Sequence, residues 1–89
     1  MSKPTLPEPT PAQVKKNHSK YNFGDFLKAL RKAYGLSRTQ VGEKIGRTQQ
    51  SLYLTEKNHN IPRIETILKL ATIYRVKASI LLNKLSDML

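Results

Sequence analysis

The chain contains no cysteine, so neither a disulfide framework nor a zinc–thiolate site is open to it. It has only 6 acidic residues against 16 basic ones. Those acids are scattered, the two histidines (His18 and His59) fall in a tail and a loop, and no metal-ligand spacing occurs. Catalysis needs an acid, base or nucleophile constellation gathered in a pocket. The residues therefore exclude an enzyme reading, and neither a metal nor a cofactor is expected. There is no glycine-rich phosphate loop, no strand signal and no internal repeat. Long apolar runs are missing too: Ile80–Leu82 is far too short to span a bilayer, and no signal peptide opens the chain. A cytoplasmic location is the expectation.

What is present is positive charge. A formal net charge of +10 on 89 residues calls for a polyanionic partner. The basic residues are spread along the chain and do not line one long amphipathic helix, which favours nucleic acid over a membrane surface. At this length a single small domain must be held by helix packing. Residues 1–21 read as a disordered arm, because Pro4, Pro7, Pro9 and Pro11 oppose regular structure and apolar residues are sparse. The second half of the arm, with Lys15, Lys16, His18 and Lys20, is basic. It is either a solvated tail or an arm that adds phosphate or minor-groove contacts.

The domain then runs over residues 22–89. Phe23, Phe26, Leu27, Leu30, Ala33 and Tyr34 repeat at helical spacing and form one apolar stripe, closed by Gly35. Ser37 and Gln40 form a capping box that opens a second helix, carrying Val41 and Ile45 on one face. Gly46 supplies the positive φ that ends it. Thr48 caps a third helix, about 49–57, whose inward anchor is Leu52 and which Asn58 terminates in a left-handed conformation. Beyond Pro62, Ile64, Ile67, Leu68, Ala71 and Tyr74 mark a fourth helix. Leu81, Leu82, Leu85, Met88 and Leu89 mark a fifth, over about 78–88. The expected fold is all-α, a compact five-helix domain.

Helix, glycine corner, helix is the helix-turn-helix pattern, whose second helix enters the major groove. The spacing alone also fits an ordinary helical corner. The first turn of the second helix and the surrounding basic charge favour DNA, since glutamine amides such as those of Gln49 and Gln50 can pair bidentately with adenine N6 and N7. With them, Tyr53 occupies the exposed side and is a base or phosphate contact. Arg38, Arg47, Thr48, Ser51, Lys57, His59, Asn60 and Arg63 are candidates for phosphate, since short polar and basic groups around a helix N-terminus suit its oxygens.

From about Phe26 to Leu82 the chain resembles the Cro/lambda-repressor-type helix-turn-helix family. The matching pieces are GLSRTQVGEKIG at 35–46, TQQSLYLTE at 48–56, the Pro62 loop and LKLATIYRVKASILL at 68–82. Thr48-Gln49-Gln50-Ser51 is similar to the start of the recognition helix in some lambdoid phage repressors, which implies a prokaryotic or phage origin. The resemblance implies base contacts from this segment and a homodimer on a pseudo-palindromic operator. It also implies a structural pair between Arg31 and Glu56, and a guanidinium fork holding a carboxylate agrees with that. Leu54 stands where the family places another base-reading side chain: either it meets a thymine methyl or it packs. Four further positions depart from the family's usual residues. Arg38 replaces a glutamine, Arg47 a small apolar residue in the corner, Thr55 an apolar anchor, and Gly42 an alanine, which still permits close helix approach but costs about 1 kcal/mol of helix propensity.

Leu85, Met88 and Leu89 carry the last apolar stripe to the chain end and are either a dimer interface or a cap on the fold. Two functional classes follow. One is a sequence-specific transcriptional regulator of double-stranded DNA, a repressor. The other is an antitoxin-like protein that neutralises a partner protein, such as a toxin, and regulates its own operon.

Overall fold

Regular structure begins at a threonine. In the computed structural model, which describes residues 9–89, the Thr10 side chain accepts from the Gln13 N–H, and the Gln13 side chain accepts from the Thr10 N–H. This capping box opens helix α1, Pro11–Lys16. A 3-10 turn, His18–Lys20, follows it. The expectation of a disordered arm is corrected for this stretch, and the physical reason is specific. Pro11 sits at the first helical position, where a missing N–H costs nothing. Val14 is buried in the core, and Lys15 Nζ donates to the Tyr34 hydroxyl at 2.7 Å. Residues 1–8, with Pro4 and Pro7, lie outside the described residues.

Five more helices complete the chain: α2 (Phe23–Ala33), α3 (Arg38–Ile45), α4 (Gln49–Glu56), α5 (Ile64–Tyr74) and α6 (Ala78–Asp87). There are thus six helices where the sequence predicts five, and no strand among the described residues. The stripe of α2 (Phe23, Phe26, Leu27 and Leu30) is fully buried at the centre. Val41 and Ile45 of α3, Leu52 of α4, Ile67, Leu70 and Tyr74 of α5, and Leu81 and Leu85 of α6 close around it. Each such side chain contributes about 1.5–3 kcal/mol by leaving water.

The chain reverses where the sequence predicts. Gly35, Gly46 and Asn58 have φ of 69°, 71° and 61°. Arg75, which nothing in the pattern singles out, is also left-handed at φ 53° and ends α5, with the Val76 N–H donating to the Ala71 carbonyl at 3.0 Å. Lys84 is a second surprise. It is buried on α6, and its ammonium donates to the carbonyls of His18 and Tyr21 and lies 5.0 Å from the Phe26 ring centroid. Burial lowers its pKa, and the nearby Asp87 carboxylate partly opposes that. The lysine ties the N-terminal turn to the last helix.

The last apolar stripe divides. Leu85 lies inside the chain's own core and Met88 packs against it, so both cap the fold instead of offering a free dimer surface. Leu89, 81% exposed, is the only one of the three left open to a partner. The larger exposed apolar side chains elsewhere are Ile61, Ile64 and Leu68, at the N-terminal end of α5.

Candidate nucleic-acid interface

The corner between α3 and α4 is built by its caps. Ser37 and Gln40 form the expected capping box, with bonds of 3.1 and 2.8 Å. Gly46 turns the chain, and the Arg47 N–H donates back to the Gly42 carbonyl at 2.8 Å. Thr48 then accepts from the Ser51 N–H at 3.1 Å and starts α4. The close approach expected at Gly42 is tighter than an alanine would allow. A Cβ at that position would stand 2.6 Å from the Arg47 carbonyl oxygen, so this corner is closed too tightly for alanine. Glycine at 42 is a packing requirement of the corner, beyond its cost in helix propensity.

Three devices fix α4, the first two against α2 and the third against the loop that follows α4. The first is the Arg31–Glu56 pair. Arg31 Nε donates to Glu56 Oε2 at 2.7 Å and Nη2 to Oε1 at 3.2 Å, while Nη1 donates to the Leu36 carbonyl at 3.0 Å. Both side chains are buried, and Arg38 Nε approaches the same carboxylate at 3.4 Å. The second is a clasp of two asparagines. Asn58 accepts from the Gly24 N–H at 2.8 Å and donates to Asn22 Oδ1 at 3.2 Å, and Asn22 Oδ1 also caps α2 through the Asp25 N–H at 2.9 Å. Gly24 permits this approach, since a Cβ there would run into the Glu56 carbonyl. The third is Thr55. The departure at this position implies a looser helix, yet Thr55 is buried, and its hydroxyl lies 3.0 Å from the Ser51 carbonyl and 2.7 Å from Asn60 Oδ1. A polar anchor replaces the apolar one.

The outer side of α4 is left free. Gln49 and Gln50 are exposed in its first turn, with Arg47 and Thr48 exposed just before them. Tyr53 follows one turn on, and its ring lies between two cations: the Arg38 guanidinium at 5.0 Å and Lys57 Nζ at 5.7 Å from the ring centroid. Such pairing fixes the ring while leaving charge at the surface. Leu54 is half-buried and stands apart from the main core. Lys57, His59 and Arg63 are exposed around the far end, Ser51 is half-buried, and Asn60 is half-buried with its amide engaged by Thr55. Arg38 is restrained by Glu56 and Tyr53, and is less free than a surface cation. The asparagine clasp and the burial of Lys84 were not foreseen from the sequence. Only Asn58, as a left-handed terminator, gave any signal of the clasp.

An exposed recognition-helix start rimmed by cations, seated behind a glycine corner, defines a helix-turn-helix DNA-binding module. The helix-turn-helix family model matches residues 27–81, more than half of the chain, and the protein belongs to the Cro/C1-type helix-turn-helix family of DNA-binding transcription regulators. The family is not typically enzymatic. No curated protein and no solved structure matches the chain significantly. None of the helices among the described residues is long and apolar enough to cross a membrane.

Proposed function

We propose that the protein is a sequence-specific repressor that binds a pseudo-palindromic operator as a homodimer and acts by blocking polymerase. The observation that carries this reading is the pair Gln49 and Gln50, exposed together in the first turn of α4. In a major groove these amides read adenine edges, with Tyr53 beside them and Leu54 against a thymine methyl. Arg47, Thr48, Lys57, His59 and Arg63 grip phosphate on either side, and Arg38 reaches it while remaining paired with Glu56. Ser51 and Asn60 contribute chiefly by holding α4 in place. The exposed Ile61, Ile64 and Leu68, with Leu89, supply apolar surface for a two-fold contact. Substitution separates the two kinds of contact. Gln50→Ala costs about 1–3 kcal/mol at the preferred site and relaxes preference at one base pair. Lys57→Ala weakens binding to every sequence alike, measured by fluorescence anisotropy on matched and scrambled duplexes. A uniform loss from Gln50→Ala would overturn the base-reading assignment.

A further inference from the structure

One side of α5 carries core-like residues that the fold does not cover. Ile64 and Leu68 stand one turn apart, 51% and 50% exposed, and Ile61 in the loop just ahead is 60% exposed. Single exposed apolar side chains are ordinary, but three in one stripe mark a surface that meets a partner. Beside them a shallow groove of about 290 Å³ runs between α5 and α3, lined by Leu68, Lys69, Thr72, Ile73 and Lys44.

The opposite side of the same helix is occupied. Ile67, Leu70 and Ala71 are buried, and Thr66 and Leu70 face the cleft beneath α4 together with Ser51, Leu52 and Thr55. The stripe thus points away from α4, and a partner seated on it leaves Gln49 and Gln50 clear.

The charges beside the stripe identify that partner. Glu65 and Lys69 are exposed and flank the stripe on the same side, since each follows a stripe residue by one position. Their spacing commonly closes an ion pair within a helix. Among the described residues, however, neither forms one. An antiparallel two-fold passing between Ile64 and Leu68 brings Ile64 of each copy onto Leu68 of the other. The same operation sets Glu65 of each copy against Lys69 of the other, giving two identical ion pairs, as an isologous contact requires. Ile61 of each copy then reaches the groove beside Leu68 of the other. For a chain of formal charge +10, opposite charges at the joint offset the general repulsion between copies. An acidic partner of another sequence would suit Lys44 and Lys69, but would set its charge against Glu65.

We propose that the chain pairs with a second copy of itself antiparallel along α5, with Ile64 on Leu68 and Glu65 on Lys69 across the two-fold. This rests on the homodimer of the proposed function and assigns its interface to α5. The joint is one helix face on each side, at the small end of interfaces, so the pair is weak until DNA holds both copies.

Sedimentation velocity on the full chain without DNA, from about 1 µM to about 500 µM, covers the weak affinities of a small interface. A concentration-dependent dimer is expected. Leu68→Asp, at an exposed position, abolishes it in a chain that still folds by circular dichroism. Glu65→Lys and Lys69→Glu each place like charges across the two-fold and weaken dimerisation about tenfold or more. Mixed in equal amounts, these two variants regain a dimer, because every cross pair is then opposite in charge. Repair within one helix cannot produce that recovery, so the mixture separates pairing across the joint from any effect of the charges on α5 itself. A chain that stays monomeric throughout, a dimer that survives Leu68→Asp, or a mixture no better paired than its parts would overturn the interface. Operator binding enters none of these readings. An enriched palindrome bound by a chain whose dimer ignores these substitutions keeps the proposed function and overturns the α5 joint. The expected dimer with no enriched motif keeps the joint and overturns the base reading.

Discussion

Single residues carry more of this fold than their types suggest. Gly42 illustrates how two effects of opposite sign are weighed. Alanine would gain about 1 kcal/mol of helix propensity at this position. Against that, its Cβ would meet the Arg47 carbonyl oxygen at 2.6 Å, and a backbone atom in a tight corner cannot give way cheaply. Overpacking of this kind costs about 1–3 kcal/mol, so Gly42→Ala is expected to lower the thermal midpoint. A raised midpoint would show that the corner relaxes freely. Arg75 raises the opposite question, a cation in a conformation that glycine fills more cheaply. Nothing in the sequence marks it, because an arginine there gives no conformational signal.

At the level of elements, α4 is held from behind so that its front stays free. Glu56 is the key to that hold, buried and bonded by Arg31 with Arg38 alongside. Removing its charge leaves the Arg31 guanidinium buried without a counter-ion. Glu56→Gln is therefore expected to cost about 3–5 kcal/mol of stability, read by thermal or urea melting, with base preference unchanged. Stability that held while base preference shifted would place Glu56 at the DNA. The sequence made much of this element legible. Caps at Ser37 and Thr48, glycines at 35 and 46, and the Arg31–Glu56 pair all follow from local chemistry or from family likeness, and the structure has them. The asparagine clasp was not legible, since Asn22 and Asn58 are far apart in the chain and each looks like a routine cap. Thr55 was misjudged for a related reason: a hydroxyl counts as a weak anchor until a partner such as Asn60 is seen beside it.

At the scale of the whole molecule, the segment from Thr10 to Lys20 and the last helix are part of the fold. Proline content pointed to an arm without structure, but one proline at a helix start and one valine at the right distance suffice to dock α1. The same docking gives Lys84 its two carbonyl partners. Deleting residues 1–20 removes the Val14 contact and the His18 carbonyl, and is expected to lower stability by about 2–5 kcal/mol, seen in urea melts of the two chains. An unchanged melt would return the segment to the status of a tail. The partition of the last apolar stripe could not be read from spacing, because core and interface positions repeat with the same period. Burial separates them: Leu85 belongs inside and Leu89 outside.

The central claim is that α4 reads bases from a two-fold assembly. Selection of bound duplexes from a random DNA pool, carried out at two salt concentrations, tests it most directly. The expected outcome is one enriched palindrome with half-site centres about 34 Å apart, a single turn of DNA. Phosphate contacts should make its affinity fall at the higher salt while the motif itself is retained. Binding that is salt-sensitive but enriches no motif would contradict the account, leaving only attraction between a basic protein and phosphate.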